Sequence, residues 1–271
     1  NLPTLPTTLQ YLRLASGILS TASLSFLPSN LTTLTLHGIN DEIGRAIGQL
    51  QQLYCLSILE EGTLSPETCK LLPRSLRSFN FDGSIFTSVD CISNLPNITS
   101  CSIYGNEHLR GSQEDSLVNS FEGALRLPIS LTSLEVHAPM WTAEAWMLGL
   151  ERLDNLTILS ATDVEPLPET VLLHLPRNLR KLYISIQTVG VVENSIASLP
   201  RGLTILYLSN ARETNWTVSQ CQQLPRSLYR FALPINPGTW DKDMVAALPP
   251  YLNDFSTNWR VVPHFDALKT K

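Results

Sequence analysis

Five cysteines, five histidines and four Asn-X-Thr triplets are the residues here with the most chemistry to offer. The cysteines (Cys55, Cys69, Cys91, Cys101 and Cys221) include no C-x-x-C pair, so the spacing of a zinc site is missing. Cys69, Cys101 and Cys221 occupy places where comparable stretches of the chain carry Ile, Leu or Ala. They are expected to pack as small buried hydrophobes. Cys91 adjoins the place equivalent to Cys69, which leaves a Cys69–Cys91 disulfide open as an alternative. Cys55 is expected to point outward, and an odd count leaves at least one thiol free or paired outside the chain. His37, His108, His137, His174 and His264 form no H-E-x-x-H motif. There is also no phosphate loop and no G-x-S-x-G elbow. Solvated or capping roles are therefore expected for the histidines, with no catalytic residues, metal or cofactor, and the chain is read as a non-enzyme.

The triplets begin at Asn30, Asn97, Asn155 and Asn215. As glycan acceptors they would mark surface positions of a secreted protein. Three of them, however, share one local context, Asn-(Leu/Ile)-Thr, which asks what element imposes it. The answer is a repeat. The frame L-P-x-x-L-x-x-L-x-L begins at Leu5-Pro6 and returns at Leu27, Leu72, Leu127, Leu175, Leu199, Leu224 and Leu248, with degenerate copies at Leu50, Leu95 and Leu153. The leucine expected to open each strand recurs as Leu9, Leu31, Leu53, Leu76, Ile98, Leu131, Leu156, Leu179, Leu203, Leu228 and Leu252. Successive steps are 22, 22, 23, 22, 33, 25, 23, 24, 25 and 24 residues.

Alternating apolar residues mark a half-buried strand whose inward side chains meet those of the next copy. Proline lacks an N–H, so it belongs just before the strand ladder. An apolar residue also stands three places before the leucine of each motif, as in Leu24/Leu27, Ile47/Leu50, Cys69/Leu72, Ile92/Leu95, Ala124/Leu127 and Leu150/Leu153. The series continues with Leu172/Leu175, Ile196/Leu199, Cys221/Leu224 and Val245/Leu248. That spacing puts both residues on one face of a helical turn. Each copy is thus a strand followed by a short helix, and helix starts are expected at Trp141-Thr142, Trp216-Thr217 and Trp240-Asp241, where Thr or Asp can cap and Trp can staple.

On these eleven copies the chain resembles the leucine-rich-repeat family, and its Leu-Pro opening resembles the subclass of bacterial effectors and large protist proteins. The resemblance implies an α/β solenoid spanning residues 1–271. It would have a curved parallel sheet on the concave side, short helices on the convex side, and about eleven repeats. The asparagine that the family carries near each strand end is in frame only at Asn106 and Asn236, with Asn40 and Asn210 one residue off. The 33-residue step implies an insertion around His108 to Glu122. Since the chain opens at Asn1, and solenoid ends are usually capped, it is expected to be part of a longer protein.

The outward strand positions are the candidate binding residues. Most are small and polar, as at Thr33, Thr35, Ser78, Asn80, Ser133, Ser160 and Ser209, but later repeats carry Lys181, Tyr183, Ile205, Tyr207 and Arg230. Aromatics beside cations are typical of binding hot spots, although tyrosine also simply suits strands. A second row, Arg74, Arg177, Arg201 and Arg226, follows the prolines and reads as solvated charge, with an acidic partner along that rim as the alternative. A formal net charge of −5 argues against nucleic acid, and no apolar run is long enough to insert in a membrane. Low charged content, 16%, leans toward a secreted or cell-surface protein. The expected function is recognition of a protein partner through the concave sheet. The alternatives are the substrate-recognition part of an enzyme such as a ubiquitin ligase, by resemblance to that subclass, and a self-associating structural segment.

Overall fold

In every complete copy of the repeat, the proline carbonyl accepts a hydrogen bond from the N–H of the leucine three residues on. The pairs include Pro28/Leu31, Pro73/Leu76, Pro128/Leu131, Pro176/Leu179, Pro200/Leu203, Pro225/Leu228 and Pro249/Leu252, at 3.0–3.2 Å. This is the closing bond of a β-turn. The leucine therefore precedes its strand by two residues instead of opening it, and from Leu31 onward it is buried at the turn exit. In the three degenerate copies, Leu50, Leu95 and Leu153 take over the proline's role and bond Leu53, Ile98 and Leu156. One residue is lost between motif and strand, and the turn survives.

The computed structural model describes residues 5–14, 27–62, 64–82, 90–104, 127–137, 143–162, 167–187, 193–209, 216–233, 240–257 and 260–261. The chain divides into two compact units, Asn1–Ala145 and Trp146–Lys271. The N-terminal unit holds six parallel strands: β1 (Tyr11–Leu14), β2 (Thr33–Ile39), β3 (Cys55–Gly62), β4 (Ser78–Asp82), β5 (Ser100–Tyr104) and β6 (Ser133–His137). Between them run the helices Asp41–Ile47, Pro66–Cys69 and Asp90–Ser93. The 33-residue step does not disturb the ladder, since Ser100 still pairs Ser133 and Tyr104 still pairs His137. The proposed insertion itself, with Asn106 and His108, lies outside the described residues.

In the C-terminal unit, β7 (Ile158–Ala161), β9 (Lys181–Gln187), β10 (Ile205–Ser209), β11 (Arg230–Leu233) and β12 (Asp254–Thr257) are the repeat strands, paired parallel in that order. A short β8 (Leu167–Pro168) pairs β9, and β13 (Arg260–Val261) turns back antiparallel on β12. Helical turns at Glu169–His174, Glu193–Ala197, Val218–Gln223 and Lys242–Ala247 return the chain. Each of the eleven frame leucines thus leads into a strand, as the spacing predicts.

Strand alternation builds the core. The inward pairs Leu34/Leu36, Leu56/Ile58, Phe79/Phe81, Leu134/Val136, Leu182/Ile184, Leu206/Leu208 and Phe231/Leu233 are all buried. So are the described members of the i, i+3 helix pairs after Leu27, which is half-buried, among them Ile47/Leu50, Leu150/Leu153, Ile196/Leu199 and Cys221/Leu224. Strand entry is held by one carbonyl per repeat that accepts two N–H groups from the next. Thr32 takes Tyr54 and Cys55, and Thr204 takes Tyr229 and Arg230. The caps form as expected where they are described: Thr217 and Gln220 make a reciprocal capping box, and Asp241 accepts from the Met244 N–H at 2.8 Å. The Trp141-Thr142 start lies outside the described residues. Asn40, one residue off the expected ladder, caps the helix Asp41–Ile47 through the Ile43 N–H. No helix among the described residues is long and apolar enough to cross a membrane.

Candidate functional site

All five predicted contact residues lie on one face of the C-terminal unit. Inward Leu182, Leu206 and Phe231 fix the alternation, so the residues flanking them must point outward. Lys181, Ile205, Arg230 and Asp254 form one row across β9 to β12. Tyr183, Tyr207 and Ala232 form the next. The two tyrosine rings stand 6.4 Å apart, tilted by 38°, within the range of favourable aromatic pairing. Arg230 Nε donates to Asp254 Oδ2 at 2.7 Å, both side chains being about half exposed at 53% and 43%. Asp254 was absent from the sequence candidates, although it occupies the same frame position, two residues after Leu252. An exposed pair of this kind adds little stability. Its effect is to fix the guanidinium beside Ile205.

The N-terminal unit presents a different face. Its first row is Tyr11, Thr33, Cys55, Ser78, Ser100 and Ser133, and its second runs Arg13, Thr35, Ser57, Asn80, Ser102 and Glu135. Asn80 donates to Ser57 at 3.1 Å, and Ser102 donates to Glu135 at 3.1 Å. His137, expected to be solvated, instead contacts Glu135 Oε1 at 2.8 Å and stacks flat on Tyr104 at 4.7 Å, with its side chain 16% exposed. Burial pushes the Glu135 carboxyl up, but hydrogen bonds from His137, Tyr104 and Ser102 outweigh it and hold the group below its usual range. Ser, Glu and His are the residue types of a hydrolytic triad. In such a triad the histidine must hold the serine proton, whereas here Ser102 and His137 both engage the carboxylate. Sequence spacing hid this cluster because the insertion separates β5 from β6.

The turns carry a hydrogen-bond ladder that sequence reading placed elsewhere. Asn30, Asn97 and Asn178 each donate from the side chain to the turn carbonyl of the preceding repeat, at Thr7, Arg74 and Asp154. At the same frame position Ser75, Ser130 and Ser227 donate instead to the carbonyl of the preceding frame residue, Leu53, Ile98 and Leu203, and Ser227 also reaches the Arg201 carbonyl. Two residues beyond Asn30 and Asn97, the hydroxyls of Thr32 and Thr99 donate to the Gln10 and Arg77 carbonyls. The Asn-(Leu/Ile)-Thr triplet is thus the repeat's own stitching at Asn30 and Asn97, while the strand-end asparagines Asn106, Asn210 and Asn236 lie outside the described residues. Asn215 lies outside the described residues.

Cys101 and Cys221 are free and buried, and burial pushes both thiols up to about 12, with the Asp241 charge adding at Cys221. They are protonated packing groups. Cys69 corrects one expectation: it is buried, but disulfide-bonded instead of a free thiol. The side chain of Cys91, its expected partner, lies outside the described residues. Cys55 is free and half-buried on the outward row.

Solved structures share this fold, three of them as follows. An internalin from Listeria monocytogenes matches 92% of this chain at 19% identity with a TM-score of 0.50. TLR13, solved as a complex with single-stranded RNA, matches 93% at 16% identity and 0.59. CroV588, described as a circular leucine-rich-repeat protein, matches 93% at 17% identity and 0.52. This chain spans 61%, 36% and 37% of their respective lengths. No protein-family model and no curated protein matches the sequence. At such identities the likeness establishes the fold, a leucine-rich-repeat solenoid.

Proposed function

We propose that the chain is a non-catalytic recognition module that binds a protein partner through the strand face of its C-terminal unit. The contacts are Lys181, Tyr183, Ile205, Tyr207 and Arg230. One observation carries this reading: two tyrosines in register on adjacent strands, flanked by an aliphatic and two cations, at frame positions that β2 to β5 fill with Thr, Ser, Asn and Cys. Rigid aromatics and arginine are the side chains that dominate interface energetics, and they lose little rotamer freedom on binding because the strands already hold them. The internalin and TLR13 likenesses are compatible with a recognition role, and the RNA belongs to the TLR13 complex. For this chain a net charge of −5 favours a protein over a polyphosphate partner.

The disulfide at Cys69 supports an oxidising compartment, and with it a secreted or cell-surface location. The test is affinity capture from the native source on immobilised chain beside a Tyr183→Ala/Tyr207→Ala version, with mass spectrometry of the retained proteins. A partner held by the first and lost by the second, with unfolding unchanged, is the expected result. A drop of at least about thirtyfold in affinity follows from truncating two hot-spot aromatics. Equal retention by both would remove the site from this face.

A further inference from the structure

We propose that the turn rim of the C-terminal unit is a docking ridge for an acidic protein segment, whose carboxylates are taken by Arg177, Arg201 and Arg226. This does not rest on the strand-face reading, because the ridge lies on the turns that precede β9, β10 and β11 and not on the strands. All three arginines occupy one frame position, the first residue after the proline, in consecutive repeats. Their turns are closed by the same proline-to-leucine bond, so the side chains leave equivalent places one strand spacing apart, roughly 4.8 Å. All three are exposed. Among the described residues, Arg177 and Arg201 have no ion-pair or hydrogen-bond partner for their guanidinium groups, while Arg226 makes only long contacts, 3.3 and 3.4 Å, to the Ala247 and Leu248 carbonyls.

The local charge is one-sided. Over the turns and first strand positions of this unit stand Arg177, Arg180, Lys181, Arg201, Arg226 and Arg230, opposed by Asp154 and Asp254, the latter already consumed by Arg230. A chain that is net negative thus concentrates unpaired cations on one rim. Arginine's planar fork matches a carboxylate through two parallel N–H···O bonds, which a lysine row would not offer. Beside the ridge, Tyr229 and Tyr251 are 52% and 75% exposed, and Asn253 donates to the Tyr229 hydroxyl at 2.6 Å, fixing one ring. Arginine and tyrosine together are the composition of a protein interface.

The test is fluorescence anisotropy of a labelled oligo-glutamate peptide titrated with the full chain at low and at high ionic strength. Binding at low salt that weakens as salt rises is expected, since exposed pairs are screened within about 8 Å at physiological ionic strength. Arg177→Glu/Arg201→Glu should lose affinity at least about tenfold, because two forks are replaced by repulsion. Arg177→Gln/Arg201→Gln should lose less, both variants keeping the wild-type unfolding midpoint. Arg45→Glu/Lys70→Glu makes the same change of net charge at exposed positions of the N-terminal unit and should bind as wild type. An equal loss there would reduce the effect to net charge and overturn the ridge. So would absence of peptide binding by wild type, or retention on heparin without peptide binding, which would point to a sulfated polysaccharide. If Tyr183→Ala/Tyr207→Ala abolishes peptide binding while the arginine reversal leaves it intact, the acidic segment belongs to the strand face. The ridge then falls and the strand-face reading stands.

Discussion

The two compact units use one repeat frame and fill it differently. The N-terminal unit carries seven Lys and Arg against thirteen Asp and Glu, a net of −6; the C-terminal unit carries twelve against eleven, a net of +1. From β2 on, one presents threonine, serine and asparagine in rows closed by Glu135 and His137. The other presents tyrosine, isoleucine and arginine at the same frame positions. Their interiors differ as well. The first has a disulfide at Cys69, whereas the second packs Trp216, Trp240, Phe231 and Phe255 into one aromatic cluster with ring separations of 4.8–6.3 Å. Positions that the frame requires to be leucine are conserved between units because they close turns and fill the core. Positions that it leaves outward are where the units diverge, and where partner choice can be written without loss of fold.

The largest effect should come from the aromatic cluster. Phe231 is fully buried, stacks on Phe255 at 5.5 Å and meets the edge of Trp216 at 5.5 Å. Phe231→Ala should cost about 3–5 kcal/mol, the transfer loss plus an unfilled cavity, read from urea unfolding with the slope held constant. A loss under about 1 kcal/mol would mean the cluster collapses onto the gap, and that the second unit is less dependent on it than its packing implies.

Next in size is the bridge at Cys69. Its stabilisation comes largely from restricting the unfolded chain, so reduction or Cys69→Ala should remove about 2–4 kcal/mol. The loss should fall on the unfolding of the N-terminal unit, whereas the C-terminal unit, whose described cysteine Cys221 is free, should melt unchanged under the same reductant. Hydrogen exchange followed unit by unit distinguishes the two, and equal loss of protection in both would erase this part of the contrast.

A smaller difference separates the helix caps. In the C-terminal unit Thr217 and Gln220 satisfy each other's backbone N–H groups, while in the N-terminal unit Asn40 accepts a single bond from Ile43. Replacing either cap with alanine should cost about 1 kcal/mol. Thr217→Ala is expected to be the more damaging, because it also strands Gln220, which is buried. The reverse order in matched urea titrations would assign the box no advantage.

The repeat was legible in the sequence because its two periods, alternation in the strand and i, i+3 in the helix, are both burial patterns that one chain displays openly. The five strand-face residues were legible for the same reason: Leu182, Leu206 and Phe231 fix the parity of their neighbours. What stayed hidden depends on register between repeats. Asp254 became a partner only once β12 was laid beside β11, and Tyr104 met His137 only across an insertion. The turn ladder through Asn30, Asn97 and Asn178 needs the preceding repeat's carbonyl beside it, so the sequence displayed the triplets' place in the frame but not their bonds. The asparagine expected at the strand end drew attention to Asn40, which serves instead as a helix cap.

The smallest predicted effect tests whether the polar cluster of the N-terminal unit stabilises that unit at all. Hydrogen bonds from His137, Tyr104 and Ser102 hold the folded Glu135 carboxyl below its ordinary value despite the burial that opposes them. A group depressed in this way adds stability that is present above its unfolded value, near 4.5, and is lost as pH falls through the lower folded value. Because the side chain is 37% exposed, the contribution should stay under about 1 kcal/mol. Glu135→Gln should therefore be slightly less stable than wild type at neutral pH, with the gap closing once the wild-type carboxyl is protonated. Urea midpoints measured at neutral and at strongly acidic pH give the answer. A gap that persists unchanged in acid would show that the glutamine disturbs packing beside Tyr104, leaving the carboxylate's charge with no part in the stability of that face.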